Sequence, residues 1–477
     1  MKLPERFSSR MNGYFEAHPG SDAASFFEAF ECPAQFGIRL NRNKVSAGSD
    51  ASILLSMGCD IDPVPWCSSG YYASDKVSGN DPYSHAGVFY QQEPSAMLPA
   101  EILAPKPGER ILDLCAAPGG KSTRIAELLC GEGLLIANDI SSDRCRALLR
   151  NIERMGIDDV VILNESPEKL SERFEGFFDK ILVDAPCSGE GMFRRDPSAI
   201  KSWERYGTET VVKMQRDILK AADRMLRSGG AIVYSTCTFS EEENERMAEW
   251  FMLEFPGYET VPHPEVQGVS FSRVGGENFG AIRIWPHESR GEGHFCVNLR
   301  KGTDIKAYTG CENEDGDNGR FKVPASAEEF FRGLLVRKSA ELFLRKLKND
   351  GYLRNGHLHF HKMPTERYAG LRTVKTGAYC GDMKSTSNGT VFEPSASLPL
   401  FFRKEDIRPE RFFSMKRHDD RILRYLKGET IFSSAEEGDK LEERGYVVIS
   451  VDDFPLGFAK NSNCSMKNIY PKSWRIL

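Results

Sequence analysis

The central half of this sequence predicts an α/β fold with a mostly parallel sheet, on three observations. Short apolar runs recur between residues 109 and 234 and alternate with amphipathic stretches of helical length. Gly, Pro and small polar residues punctuate the ends of those runs. Acids and thiols stand directly after several of them. Such alternation implies right-handed βαβ units, with strands side by side and helices on both faces.

Taken in order, residues 26–30 read as helix and residues 37–41 as a strand of alternating polarity. Residues 68–85, rich in Ser, Gly, Tyr and Asp, read as loop. Together they make residues 1–95 a small α+β module. Five strands follow, at 111–114, 134–137, 160–163, 180–183 and 231–234. Helices are expected over 121–129, 143–155 and 215–226, with an acidic helix from Glu241. Glu312, Glu314, Asp315 and Asp317 lie among Gly and Asn, so residues 302–320 read as a solvated linker. Ser326 to Glu329 has the form of a capping box opening an amphipathic helix that runs to about Lys348. Asn355-Gly356 between two short runs predicts a hairpin. Strands around residues 446–451 and a turn at Asp452-Asp453 close the chain.

The 477 residues suggest about three domains. Charged residues are 28% and hydrophobic residues 40%, ordinary for a globular protein. No apolar run reaches the length of a membrane span, and no apolar core follows the first residues as in a secretory signal. The 12 cysteines are scattered with no C-x-x-C pair, which argues against a disulfide framework and a zinc site and points to the cytoplasm. No metal is expected. A net charge of -6 argues, taken whole, against a nucleic-acid binder. That total averages two unlike parts. Residues 1–320 hold 35 Lys+Arg against 49 Asp+Glu, whereas residues 321–477 hold 28 against 20. The basic part is where phosphate attraction should act.

Three constellations carry chemistry. The first is Asp113-Leu114-Cys115-Ala116-Ala117-Pro118-Gly119-Gly120-Lys121, between a strand and a helix. Small residues there let the backbone approach a ligand, and the helix N-terminus aims free N–H groups at it. Asp139 ends the next strand, where an acid binds ribose hydroxyls in nucleotide-type folds. The Pro-Gly-Gly form departs from G-x-G-x-x-G and disfavours a nicotinamide dehydrogenase. S-adenosylmethionine has no pyrophosphate to cradle. The second is Asp184-Ala185-Pro186-Cys187-Ser188-Gly189, at the carboxyl end of the fourth strand, where open α/β sheets bind ligands. A thiol, in place of the aromatic residue used for exocyclic amines, argues for carbon as methyl acceptor. The third is Tyr234-Ser235-Thr236-Cys237-Thr238 after the fifth strand. Two thiols at neighbouring strand ends suit covalent catalysis on a pyrimidine. A thiolate adds to C6, C5 becomes enamine-like and attacks a methyl sulfonium, and a base then removes the C5 proton.

These motifs resemble the signatures of the Nop/Sun-type RNA cytosine-5 methyltransferases over residues 85–301. Tyr90-Gln91-Gln92-Glu93 is similar to the family's lead-in, and Arg283, Pro286, His287 and Gly291-Glu292-Gly293 to its last motif. The resemblance implies a Rossmann-like class I methyltransferase domain over 96–301. It implies Cys237 as nucleophile, Cys187 assisting proton removal or product release, and Asp184 beside donor and base. It further implies that Lys121 orients the cytosine and that Cys115, Ala116, Ala117, Pro118, Gly119, Gly120, Lys121, Asp139 and Asp184 hold S-adenosylmethionine. Where the family has Asn-x-Asp after the third strand, this chain has Asn164-Glu165-Ser166, so Ser166 stands at the adenine side. Ile422 to Leu477, with Tyr425-Leu426-Lys427-Gly428-Glu429, Phe454-Pro455-Leu456-Gly457 and Lys467-Asn468-Ile469-Tyr470-Pro471-Lys472, resembles the PUA-like RNA-binding module, set at residues 411–477, of the bacterial RsmF-type branch, which methylates 16S rRNA. By that resemblance residues 1–95 also serve RNA binding, residues 321–410 form a basic α+β module, and the partner is RNA in the small ribosomal subunit. A cytoplasmic monomer acting on no membrane is expected. Transfer RNA as substrate, and a non-catalytic ribosome assembly factor, are the alternatives.

Three further features are read apart from the site. His357, His359 and His361 alternate and suggest a polar or RNA-facing strand rather than a metal site. Arg146, Arg150 and Arg154 read as a solvated helix stripe. Arg194-Arg195, close after Cys187, read as phosphate contacts.

Overall fold

The structure is a computed structural model that describes residues 2–18, 22–205, 208–274, 279–303, 321–387, 389–438, 441–442 and 444–476. The proposed linker, residues 302–320, therefore lies almost wholly outside the described residues.

The first module is a three-stranded sheet of β1 (Phe36–Leu40), β2 (Gly70–Ala73) and β3 (Phe89–Gln91), in the order β2-β1-β3. The region expected to be loop thus contributes β2. Ser and Gly composition hides it, yet Tyr71 and Tyr72 are buried once paired with β1. The central domain follows with β4 (Arg110–Asp113), β5 (Leu134–Asn138), β6 (Val160–Leu163), β7 (Phe178–Asp184) and β8 (Leu226–Thr236), all mutually parallel. These strands are buried on both faces, which is why they read as continuous apolar runs. Then come β9 (Tyr258–Thr260), β10 (Ser270–Arg273), β11 (Phe279–Ile284) and β12 (His294–Lys301). β12 pairs antiparallel with β8, and β11 and β10 extend that side.

After the linker region, β13 (Gly351–Arg354), β14 (His357–Phe360), β15 (Thr373–Thr376), β16 (Ala378–Thr386) and β17 (Gly389–Pro394) appear. Four of them form a sheet of order β13-β14-β16-β17. β15 instead crosses to the central parallel sheet and pairs antiparallel with β6. The large sheet therefore runs β10-β11-β12-β8-β7-β4-β5-β6-β15, with β9 on β12. The expected hairpin is present: Asn355 and Gly356 both take positive φ, 51° and 80°. The expected single helix after residue 326 is two helices, Ala325–Leu334 and Arg337–Asp350. Leu335 bridges to Ile407, and the Val336 N–H donates to the Asp406 carbonyl, so tertiary pairing interrupts the helix. Pro324, not Ser326, occupies the first helix's N-cap.

The last module comprises β18 (Phe412–Met415), β19 (Ile431–Phe432), β20 (Arg444–Val451), β21 (Phe454–Ser462) and β22 (Ser465–Asn468) in one five-stranded sheet. Its apolar core is continuous with that of the first module: Ile38, Leu40 and Tyr83 share a cluster with Ile422, Tyr425 and Tyr470. The first and last modules thus pack together beside the central domain. No helix among the described residues is long and apolar enough to cross a membrane.

Arg39 of β1 joins the first module to the central one. It is fully buried and donates to Glu127 at 2.6 Å, Thr123 at 2.6 Å and the Gly120 carbonyl at 3.1 Å. All three belong to the helix Gly120–Leu128. Removing one partner of a buried pair strands the other. Arg39→Ala should therefore lower stability by about 3 kcal/mol, measured by urea denaturation, although it touches none of the motif residues at the thiol pair.

Candidate active site

The parallel pairing of β7 with β8 sets Asp184 opposite Ser235, so the loops that follow run side by side. The result is a thiol pair: the Cys187 and Cys237 sulfurs are 3.4 Å apart. The loops are clamped to hold it. Ser188 Oγ and Thr238 Oγ1 are hydrogen-bonded at 2.7 Å, and the Gly191 N–H donates to the Cys237 carbonyl at 2.8 Å. A Cβ at Gly191 would meet that carbonyl oxygen at 2.9 Å, so only glycine allows the approach. Buried Glu243 accepts from the Ser188 N–H and from Gln215, which also donates to the Pro186 carbonyl. Buried Glu190 accepts from Arg10, Trp203 and the Phe239 N–H.

Cys187 is held as a neutral thiol, because its hydrogen bond to Cys237 and its burial both push its pKa well above the ordinary value. Lys121 Nζ lies 2.6 Å from Asp184 Oδ2. Burial opposes the Lys121 charge, but Asp184 outweighs it and holds the ammonium above its usual pKa, with smaller help from Asp113 and Cys237. Burial likewise opposes the Asp184 charge. Lys121 and His294 overcome it and keep the carboxyl well below the usual range. Ser235 Oγ donates to Asp184 Oδ1 at 2.9 Å, and His294 Nε2 lies 3.6 Å from the same oxygen. An ionised acid, an ammonium and two thiols thus share one rim of the sheet.

Beside this rim, residues 115–120 form a tight loop entering the helix Gly120–Leu128. Gly119 has φ 111°, a left-handed conformation, and a Cβ there would meet Leu148 at 2.9 Å. Asp139 is buried at the end of β5. It accepts from the Ala117 and Ser141 N–H groups, and half-exposed Arg144 lies 3.3 Å from it. Asp113 is buried too. It accepts from Ser122 at 2.6 Å, its other oxygen has no hydrogen bond, and burial pushes its pKa up to about 7.

Family models match three stretches. One described as 16S rRNA methyltransferase RsmB/F matches residues 100–300. One described as the N-terminal domain of 16S rRNA methyltransferase RsmF matches 3–94, and one described as the methyltransferase RsmF PUA domain matches 412–476. A ribosomal RNA small subunit methyltransferase F of Escherichia coli O139:H28 is 34% identical over 98% of this chain and 96% of its own length. The chain belongs to the RsmF family. The Klebsiella pneumoniae relative of the same name is 34% identical over 63% of the chain and 64% of its length. A methyltransferase homolog protein from Pyrococcus horikoshii, known by crystal structure, is 31% identical with a TM-score of 0.52, over 59% of this chain and 91% of its own.

In this RsmF-family chain the loop fits S-adenosylmethionine on its own electrostatics. Burial raises the pKa of the Cys115 thiol, and Asp113, Asp184 and Asp139 add to that rise, so three carboxylates converge there. A ligand carrying both a sulfonium and an ammonium complements them. Asp139 lies against this loop, accepting from the Ala117 N–H. Ser166 Oγ caps the helix Pro167–Arg173 by accepting from the Lys169 N–H. Beside it Glu165 binds Lys169 and Arg372.

Arg194 corrects an expectation. Its side chain is 6% exposed and paired with Glu292 at 2.7 Å, with further bonds to the Ala29 and Gly291 carbonyls. It fastens the first module rather than a phosphate. Arg195 donates to the Gln35 carbonyl and covers Phe36. Within the arginine stripe, Arg146 is exposed and pairs with Asp143, while Arg154 is half-buried, which depresses its pKa. Sequence reasoning missed Glu243 and His294. Glu243 follows Cys237 by six residues in an acidic run that reads as a solvated helix face. His294 stands alone on a strand whose pairing with β8 is visible in three dimensions.

Proposed function

We propose that this protein transfers the methyl group of S-adenosylmethionine to C5 of a cytosine in small-subunit ribosomal RNA, through a covalent bond between Cys237 and C6. The observation that carries this reading is the thiol pair, 3.4 Å between sulfurs, beside the Lys121–Asp184 ion pair. Bound at the 115–120 loop, S-adenosylmethionine supplies an electrophilic methyl group. Cys237 adds to C6 and loads electron density onto C5. Asp184 and Lys121 hold the pyrimidine's polar edge, their opposite charges matching its acceptor and donor atoms. After methylation the C5–H and Cys237–C6 bonds must both break. Cys187, kept protonated, gives its proton to the departing Cys237 sulfur and, as the resulting thiolate, takes up the C5 proton, so both thiols are restored; the proton that Cys237 lost on attacking C6 has gone to solvent. A base inside folded RNA must first be drawn out of its stack for the thiol to reach C6.

The test is methyl transfer from labelled donor to small ribosomal subunits, to their isolated RNA and to bulk transfer RNA, with the product base identified by mass spectrometry. Label in 5-methylcytosine of small-subunit RNA is the expected result. Label confined to transfer RNA would overturn the substrate, and label at a nitrogen the mechanism.

A further inference from the structure

The four-stranded sheet β13-β14-β16-β17 has two unlike faces. Leu358, Phe360 and Phe392 pack against the helices Ala325–Leu334 and Arg337–Asp350. The opposite face carries Tyr352, His359 and Tyr379 as a row of rings. Tyr352 and His359 are stacked, 5.4 Å between centroids and 12° between planes, and His359 lies 5.2 Å from Tyr379. The structure thus resolves the three alternating histidines into separate partners. His357 binds Asp382, His361 binds Asp159, and His359 is part of this stack. Burial, with the nearby cations Lys375, His357 and Arg354, lowers the His359 pKa to about 4, so its ring is neutral near pH 7.

The row ends at β13, the sheet's edge strand. One face of Tyr352 is taken by His359. On the other side of β13 lies a cavity of about 720 Å³, whose lining includes Tyr352, Arg354, Lys362, Tyr368 and Asp350. Arg354 is exposed and makes no ion pair among the described residues. Lys362 also lines the cavity, but its ammonium donates to the Gly131 carbonyl at 2.6 Å and lies 3.8 Å from Asp159, so Arg354 is the cation left for a phosphate. Residues 331–380 hold 11 Lys+Arg against 3 Asp+Glu. A tyrosine lining a cavity, with an exposed arginine beside it, suits an unpaired nucleobase and its phosphate.

We propose that this cavity takes one unpaired base of the RNA substrate, stacked on the free face of Tyr352, with the adjoining phosphate on Arg354. The proposal rests on the reading of RNA as substrate and adds a second point of attachment away from the thiols. The cavity wall is also tied to the donor side. Leu371 and Thr373 line it, and between them Arg372 accepts from the Asn164 N–H and donates to Glu165. Asn164 in turn donates to the Asp139 carbonyl at 2.8 Å. RNA seated here therefore lies against the edge of the catalytic sheet through β15.

The experiment uses the full chain, with kcat and KM measured on small-subunit RNA for wild type, Tyr352→Ala, Tyr352→Trp and Arg354→Ala. In parallel, wild-type protein is irradiated with a 4-thiouridine-substituted copy of the RNA, and cross-linked peptides are mapped. Tyr352→Ala and Arg354→Ala should each raise KM for RNA about tenfold, in the range for losing one stacked base, with kcat within twofold. Tyr352→Trp, which keeps a stacking face, should restore KM, and cross-links should fall on residues 352–354. Unchanged KM in both truncations, with wild-type melting curves, overturns the proposal. If Tyr352→Ala does not fold, Arg354→Ala decides alone, since its side chain is exposed. Wild type that methylates no RNA counts against the enzyme reading instead. The cavity is then judged by the cross-links: their presence at 352–354 supports it and their absence rejects it.

Discussion

Cys237→Ala is expected to abolish methyl transfer, with a fall in kcat on the order of 10⁴-fold or more. The argument is chemical. C5 of cytosine is a weak carbon nucleophile because its electrons belong to a conjugated ring. No hydrogen bond from Asp184 or Lys121 substitutes for a covalent bond at C6, which converts C5 into an enamine carbon. Every later step depends on that bond, so its loss is not shared with other residues. The variant should still fold, since Cys237 contributes its carbonyl, not its sulfur, to the loop clamp through Gly191. It should also bind S-adenosylmethionine as wild type does, measured by calorimetry, because the donor loop, Asp139 and Asp113 are untouched. Retained turnover would remove Cys237 from the mechanism; lost donor binding would mean that the substitution had damaged the loop instead.

The parallel core was legible because its strands are buried on both faces, so each apolar run marked a strand without needing its neighbours. The strand-end residues were legible for the same reason: Asp139, Asp184 and Ser235 are polar interruptions placed where such runs stop. What escaped was long-range. β15 is Thr373-Val374-Lys375-Thr376, a mixed run with no apolar signature, and it becomes a strand by pairing with β6 some 210 residues earlier. The break at Leu335 and Val336 depends on residues 406 and 407. Arg194 misled because two adjacent arginines near a reactive loop look like phosphate ligands. Their burial is decided by Glu292 and the first module, which sequence spacing does not reveal. Charge, by contrast, was legible once the chain was divided: the whole-chain excess of acid averages over a basic stretch after residue 320.

Cys187→Ala should leave protein bound covalently to RNA, seen as a slow-migrating band that survives denaturation and disappears on RNA digestion. In the proposed mechanism the two thiols have different work, and the surroundings of Cys187 suit it to donation. Cys187 is kept protonated by its bond to Cys237 and by burial. A protonated thiol 3.4 Å from the nucleophile's sulfur is a poor attacker but a good donor to that sulfur as it leaves. Without it, addition to C6 and methylation at C5 proceed, while the Cys237–C6 bond has no donor to ease its breaking, so the adduct accumulates. Cys187→Ser separates donation from mere volume. A hydroxyl restores a donor at nearly the same place, so turnover should recover partly and the band should weaken. The double variant Cys187→Ala with Cys237→Ala should give no band, since the bond being trapped is the one Cys237 makes. A band from Cys237→Ala, with normal turnover by Cys187→Ala, would reverse the two roles and make the protonated thiol the attacker, against the electrostatics of the pair.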